Sequence, residues 1–272
     1  QYRMHPANIP CLTAASIDCC VLANNHVLDW GYEGLGDTLA SLAQAGLPTV
    51  GAGPDLAAAR VPAVFPLPGK GRVLVFAAGL GSSGIPPGWA ATHERAGVNL
   101  LQDLTDRTVH DIARVVHIHR QPGDLVVLSL HWGGNWGYAI PSEHRRFAHA
   151  LIGEAGVDLV HGHSSHHPLG LEVYRGKPVL YGCGDLINDY EGISGHEAFR
   201  TGLALGYLVS LDRNRGELVS LEMVPLRRNR FRLEQPVQDD IDWLSMTLDR
   251  ESRELGARVV RSGEAQLRLV WK

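Results

Sequence analysis

The chain has 272 residues, 44% of them hydrophobic, enough to bury one large core or two modest ones. A formal net charge of −4 and a pI near 6.4 argue against nonspecific nucleic-acid binding and leave no footprint for an anionic membrane. No apolar stretch is long enough to span a bilayer, and no signal peptide opens the chain.

Gln1-Tyr2-Arg3-Met4-His5-Pro6 reads as mid-domain sequence, so the chain is expected to be truncated at its amino end. Residues 17–23 read as a strand ending at Asn24-Asn25-His26. Leu35, Leu39 and Leu42 at helical spacing predict a helix over about 34–45, with Gly46 as its stop. A Pro-rich connection leads to a strand at 73–77 and then to a long irregular loop over 79–97. A helix over 105–119 precedes the strand 125–130, which ends at His131-Trp132-Gly133. Another helix, over 142–155, precedes the strand 157–160 and the cluster His161-Gly162-His163-Ser164-Ser165-His166-His167. The strand 178–181 delivers Gly182-Cys183-Gly184-Asp185. Beyond it come a hairpin (203–211 and 217–225), an amphipathic helix (239–255) and a final strand through Leu267, Leu269 and Trp271. With no repeat or linker, the pattern predicts one α/β domain over 1–272 that includes the 203–272 segment.

Cys11, Cys19, Cys20 and Cys183 form no recognisable disulfide framework, so reduced thiols are expected. That points to the cytoplasm. An extracytoplasmic or membrane-associated place is the alternative if an amino-terminal segment is missing.

Four apolar runs each end in polar, ligand-type residues, at the strand ends where α/β sheets build sites. Asn24-Asn25-His26 offers an amide oxygen for a hard metal beside an imidazole able to move protons; as an alternative, Asn-Asn simply turns the chain. His131 is a ligand candidate or a rim residue, and Trp132, Trp136 and Tyr138 read as packing or a cleft wall. Four histidines in seven residues favour a metal, because crowded imidazoles repel when protonated and are compatible when neutral rings share a cation. His161 reads as a hydrogen-bonding support and His167, beside Pro168, as exposed. Asp185 and the carboxylates of Asn188-Asp189-Tyr190-Glu191 either support ligands, contact substrate or cap a solvated turn. The basic stretch 227–232 lies beyond a predicted strand and reads as a solvated edge.

In this order the motifs resemble the CapA family, named for poly-γ-glutamate capsule synthesis, within the calcineurin-like metallophosphoesterase superfamily. The resemblance runs over about 11–232. It is carried by Leu22-Ala23-Asn24-Asn25-His26-Val27-Leu28-Asp29, His131-Trp132-Gly133, Gly162-His163-Ser164-Ser165-His166, Leu171-Glu172-Val173-Tyr174-Arg175-Gly176-Lys177-Pro178 and Leu180-Tyr181-Gly182-Cys183-Gly184-Asp185. It implies a four-layer α-β-β-α sandwich with mixed sheets around a two-metal centre of Mn, Fe or Zn. Asn25, His131, His163 and His166 would be ligands and His26 the catalytic histidine, with Asn24, His161, His167 and Asp185 supporting them or touching substrate. The superfamily more often shows G-H-x-H, which leaves His166 and His167 as alternatives. Paired metals would polarise a phosphoryl or acyl oxygen and activate water, and His26 would protonate the leaving group. The family's opening strand, with its glycine–aspartate metal motif, has no counterpart among the first residues. The expected function is therefore a metal-dependent hydrolase-type protein of polyglutamate or envelope-polymer synthesis, acting on an anionic polymer or phosphoester. The alternative is a noncatalytic polymer-binding component on the same scaffold.

Overall fold

The computed structural model describes residues 1–69, 71–188 and 194–272. They fall into two compact units, Gln1–Gly133 with Glu154–Val157, and Gly134–Gly153 with Asp158–Lys272. Both are α/β with mixed strand pairing, the class that the sequence predicts.

In the first unit, α1 (Pro10–Ala14) leads to β1 (Cys20–Val21), much shorter than the predicted strand. β1 pairs in parallel with β2 (Thr49–Val50), and the Asn24 amide then bonds back to the Leu22 carbonyl, which turns the chain out of the ladder. α2 (Gly31–Gln44) buries Leu35 and Leu42, two of the three leucines whose spacing predicts it. Gly46, at φ +70°, lets the chain leave that helix without the Cβ penalty of a left-handed residue. β3 (Ala52–Gly53) is followed by α3 (Leu56–Arg60), whose first turn is capped by the Asp55 carboxylate accepting from the Ala58 amide.

β4 (Ala63–Pro66) pairs antiparallel with β5 (Arg72–Leu80). Where the segment predicted to be irregular ends, β6 (Gly97–Val98) pairs antiparallel with β3, and β7 (Leu100–Leu101) follows it and joins the end of β5 in parallel. α4 (Asp106–His119) precedes β8 (Leu125–His131), which runs parallel to β5 from Val73↔Leu125 to Gly79↔His131. Leu74, Val126 and Leu130 are completely buried, as expected of strands covered on both faces. At the start of β5, Arg72 meets the buried Asp124 carboxylate at 2.5 Å.

The second unit opens with α5 (Ser142–Gly153) and β9 (Leu159–His163). β11 (Lys177–Leu180) lies parallel to β9 on one side and antiparallel to β10 (Leu171–Tyr174) on the other. The predicted hairpin forms from β12 (Leu203–Leu211) and β13 (Leu218–Asn229). β14 (Arg232–Glu234) returns along β13, α6 (Gln238–Arg253) follows, and β15 (Ala257–Arg261) with β16 (Leu267–Trp271) completes the order β12-β13-β16-β15. α6 presses Ile241, Leu244 and Leu248 inward, and its Ser252 hydroxyl accepts from the Leu171 amide at 3.0 Å, joining it to β10.

Two sequence readings are corrected here. β9 starts and ends later than predicted, so His161 and His163 lie inside the strand rather than after it. Residues 227–229 belong to β13, not to a solvated edge; Arg228 is 5% exposed although it lies on the face opposite the buried Leu221 and Met223, while Arg227 is exposed. The four cysteines are free, and no helix among the described residues is long and apolar enough to cross a membrane.

Asp249 of α6 anchors β15, accepting from Arg258 Nε at 2.6 Å and from the Val259 amide at 3.1 Å. The Arg258 guanidinium, helped by Arg253 and the Val259 amide and opposed by desolvation, holds the Asp249 carboxyl down at about 2. A depressed folded-state pKa stabilises above the unfolded value near 4 and loses that effect as pH falls through the folded one. Asp249→Asn is expected to cost about 1–2 kcal/mol at neutral pH. In urea denaturation the gap between the two proteins should close between about pH 4 and pH 2.

Candidate functional site

In the first unit the candidate residues stand where β1 and β8 end. Ala23 is fully buried, and a Cβ on Gly51 would lie 2.6 Å from its own, so only glycine lets the two chains approach there. The next residue, Asn24, accepts the His26 amide on its side-chain oxygen at 2.8 Å, the turn role open to it from sequence. That turn presents Asn25. Its Oδ1 lies 3.2 Å from Nε2 of His131, the last residue of β8 and 106 positions away in sequence. Gly84, at φ +85°, leaves space beside the Asn25 amide, where a Cβ would come within 3.2 Å of Nδ2. The buried Ser83 hydroxyl spans the carbonyls of Leu80 and His131 at 2.7 and 2.9 Å, fixing the ends of β5 and β8 together.

His26 is half exposed, and its Nδ1 meets Asp29 Oδ2 at 2.9 Å. Desolvation works against ionisation of Asp29, but the Tyr2 amide and His26 outweigh it and hold the carboxyl below its usual range. An ionised carboxylate has no proton to give, so it keeps the His26 proton on Nδ1 and leaves Nε2 for proton transfer. Asp29, quoted in the sequence motif without a role, is the orienting partner.

In the second unit, His161 and His163 project from one face of β9, ring centroids 5.6 Å apart, with Gly162 between them. Burial pushes His161 down to about 4, keeping it neutral at physiological pH. Ser164 follows at φ 130°, a costly conformation for a residue with a Cβ and one that tends to mark functional loops. His166 Nδ1 lies 2.9 Å from Asp185 Oδ2, which also accepts from Asn188 Nδ2 at 3.0 Å. Its ring is tilted against Trp136 at 5.2 Å.

His167 is 1% exposed, contrary to the sequence expectation. It is wedged between Phe199, stacked at 4.3 Å, and Trp136 at 6.0 Å, with Tyr138 edge-on at 4.7 Å. The aromatic side chains of two distant segments shut out the water that a surface loop would meet. Burial pushes its pKa down to about 4 even though Nδ1 bonds the Pro168 carbonyl. Nε2 of His167 has no hydrogen-bond partner among the described residues.

Asp185 reaches its place because Gly182 and Gly184 let the loop close on the histidine segment. A Cβ on Gly182 would run into Ser165 and Leu169, and one on Gly184 would stand 3.0 Å from the His167 and Pro168 backbone. Arg228, which sequence reasoning left at the surface, bonds the Asp185 carbonyl through Nη1 at 2.7 Å and comes within 3.8 Å of Oδ2. Asp189, Tyr190 and Glu191 lie outside the described residues.

Whether these residues fit a metal is decided by donor chemistry. Two donors of one ion, each about 2.1 Å from it, are roughly 3.0–3.5 Å apart. The Asn25–His131 separation of 3.2 Å meets that condition. His166 and His167 both have Nδ1 engaged by an oxygen, which leaves Nε2 as the remaining ring donor, the habit of ligating histidines. Among the described residues no group of three or more His, Cys, Asp or Glu is placed to hold an ion.

An α/β protein with amide and imidazole donors at its strand ends is the class that fold and site define. The chain belongs to the bacterial capsule synthesis protein PGA_cap family, whose model matches residues 1–190. It is 52% identical over 270 residues to a probable polyglutamine synthesis accessory protein of Mycobacterium tuberculosis, covering 99% of this chain and 71% of that one. It is 30% identical over 168 residues to the PGA biosynthesis protein CapA of Bacillus subtilis, covering 61% of this chain and 41% of the relative. The capsule biosynthesis protein CapA of Bacillus anthracis is 29% identical over 169 residues, 62% and 39% of the two chains.

Gly184→Ala combines an unfavourable φ with backbone crowding and should destabilise by about 1–3 kcal/mol. Gly36→Ala in α2, where a Cβ meets nothing within 4 Å, should be neutral or stabilising in the same thermal denaturation.

Proposed function

We propose that this chain is a metal-dependent hydrolase-type protein of polyglutamate or related envelope-polymer synthesis, acting on an anionic polymer or a phosphoester. The observation that carries the reading is the meeting of Asn25 Oδ1 and His131 Nε2 at 3.2 Å, two ligand-type groups brought together from opposite ends of the first unit's sequence. The relatives' names, polyglutamine synthesis accessory protein and PGA biosynthesis protein, support the pathway.

In this reading Asn25 and His131 of the first unit and His163 and His166 of the second are donors to divalent Mn, Fe or Zn. His166 is preferred to His167, because it is part exposed and carboxylate-paired, while His167 is closed in by aromatic rings. Bound divalent ions supply Lewis-acid polarisation of a phosphoryl or acyl oxygen. In its doubly protonated form His26 delivers the Nε2 proton to the leaving group, while Nδ1–H stays on Asp29, which fixes the ring. Asn24 holds the turn that presents both neighbours.

A noncatalytic polymer-binding role is the second reading: the four proposed donors, one amide and three imidazoles, are by themselves a poor match for two hard divalent ions.

Calorimetric titration with Mn2+ and turnover of aryl phosphates separate the two. The hydrolase reading expects stoichiometric Mn2+ and Mn2+-dependent turnover. His131→Ala should weaken Mn2+ binding at least tenfold, and His26→Ala should keep the metal while losing about 10²–10⁴ in kcat. Stoichiometric metal with no turnover on any ester would favour the binding component; absence of metal uptake by the folded protein would sink both assignments of these donors.

A further inference from the structure

Arg228 lies on β13, beyond residues 1–190 matched by the family model, yet its side chain is only 2% exposed. Removing a guanidinium from water costs several kcal/mol unless its donors are satisfied and its charge is met. Both Nη nitrogens donate to carbonyl oxygens, Nη2 to Thr201 and Nη1 to Asp185, the latter at 2.7 Å. Its charge faces the Asp185 carboxylate, 3.8 Å from Oδ2. One side chain therefore grips both the backbone and the acid group of a single residue.

That residue is the one against His166 Nδ1. Asn188 Nδ2 donates to the same oxygen, so Oδ2 takes a side-chain amide and an imidazole together. An imidazole facing such an acceptor must carry its proton on Nδ1, and the lone pair is then on Nε2.

We propose that Arg228 is a positioning residue: acting through Asp185, it holds the His166 ring in the tautomer protonated at Nδ1 and so presents Nε2 as an acceptor. What Nε2 accepts, a divalent cation, rests on the reading under Proposed function; the tautomer does not. Lysine at 228 keeps the charge, but its single ammonium lacks the planar fork that serves the Thr201 and Asp185 carbonyls together. Methionine keeps the bulk and loses both.

The test is long-range 1H–15N correlation of the histidine rings in the 15N-labelled chain without metal, at one fixed pH, with His166 assigned by its loss in His166→Gln. The parent protein should show the Nδ1–H pattern. Arg228→Met and Asp185→Asn should shift it to a mixture or to Nε2–H, and Arg228→Lys should fall between. Arg72→Met, which breaks a buried ion pair of the first unit, should leave the pattern unchanged although it destabilises. Asp185 is part exposed, so Asp185→Asn tests the link even if Arg228→Met does not fold. A folded Arg228→Met or Asp185→Asn with the parent pattern overturns the proposal.

A parallel Mn2+ titration is expected to show affinity about 10–100-fold weaker in Arg228→Met, a typical loss for an outer partner of a ligating histidine. A shifted tautomer in a parent protein that binds no Mn2+ upholds the Arg228 role and defeats the metal reading. Unchanged tautomer with intact Mn2+ binding does the reverse.

Discussion

At Gly51, packed on Ala23, and at Gly182 and Gly184 the chain comes so close to its neighbours that an added Cβ would crowd or displace atoms. Each of these contacts lies one to three residues, in sequence or across a strand pair, from a polar group of interest. Ala23 precedes Asn24 and Asn25, and Gly182 and Gly184 flank the step into Asp185. Close approach without side chains lets a chain leave its strand and still remain fixed, because backbone against backbone has few alternative arrangements.

Charge is handled in the interior by pairing. Arg72–Asp124 in the first unit and Lys177–Asp158 in the second each join an element start to a neighbour. Glu172, 5% exposed, accepts from Tyr181 at 2.6 Å and faces Arg145 and His149, so a buried carboxylate ties α5 to β10 and to the residue after β11. Arg228–Asp185, like Arg145–Glu172, sets its carboxylate against an imidazole, here His166 through Nδ1. Burial makes such a pair rigid, and an exposed one would not hold an imidazole to a single tautomer.

His26–Asp29 and His166–Asp185 follow one scheme in separate units: a carboxylate on Nδ1 that leaves Nε2 to work. The scheme serves a proton donor and a cation ligand equally well, because both need a ring of fixed orientation and tautomer. Membership in the PGA_cap family leaves the chemistry to be read from such sites, since one scaffold hosts catalytic and binding proteins alike.

The order of strands and helices was legible because it rests on local periodicity. Leu35 and Leu42 on α2, Leu125–Leu130 on β8, and the β12–β13 hairpin all lie where their spacing puts them. Asn25, His131 and the histidine cluster stood out as candidates in the sequence because ligand-type residues there follow apolar runs. Strand ends were less so: β9 absorbed His161 and His163, since a ladder continues while a partner strand is present, and that partner, β11, is distant in sequence. Arg228 and His167 were misplaced for the same reason. Local pattern gives a basic run and an His-Pro pair at the surface, but burial is decided by which segments fold over them, here the Asp185 loop and the Trp136, Tyr138 and Phe199 rings. Sequence by itself therefore determined the element order, the α/β class and the candidate ligands. Tertiary structure alone decided which of those groups are oriented and by whom, because desolvation and pairing depend on contacts between residues far apart along the chain.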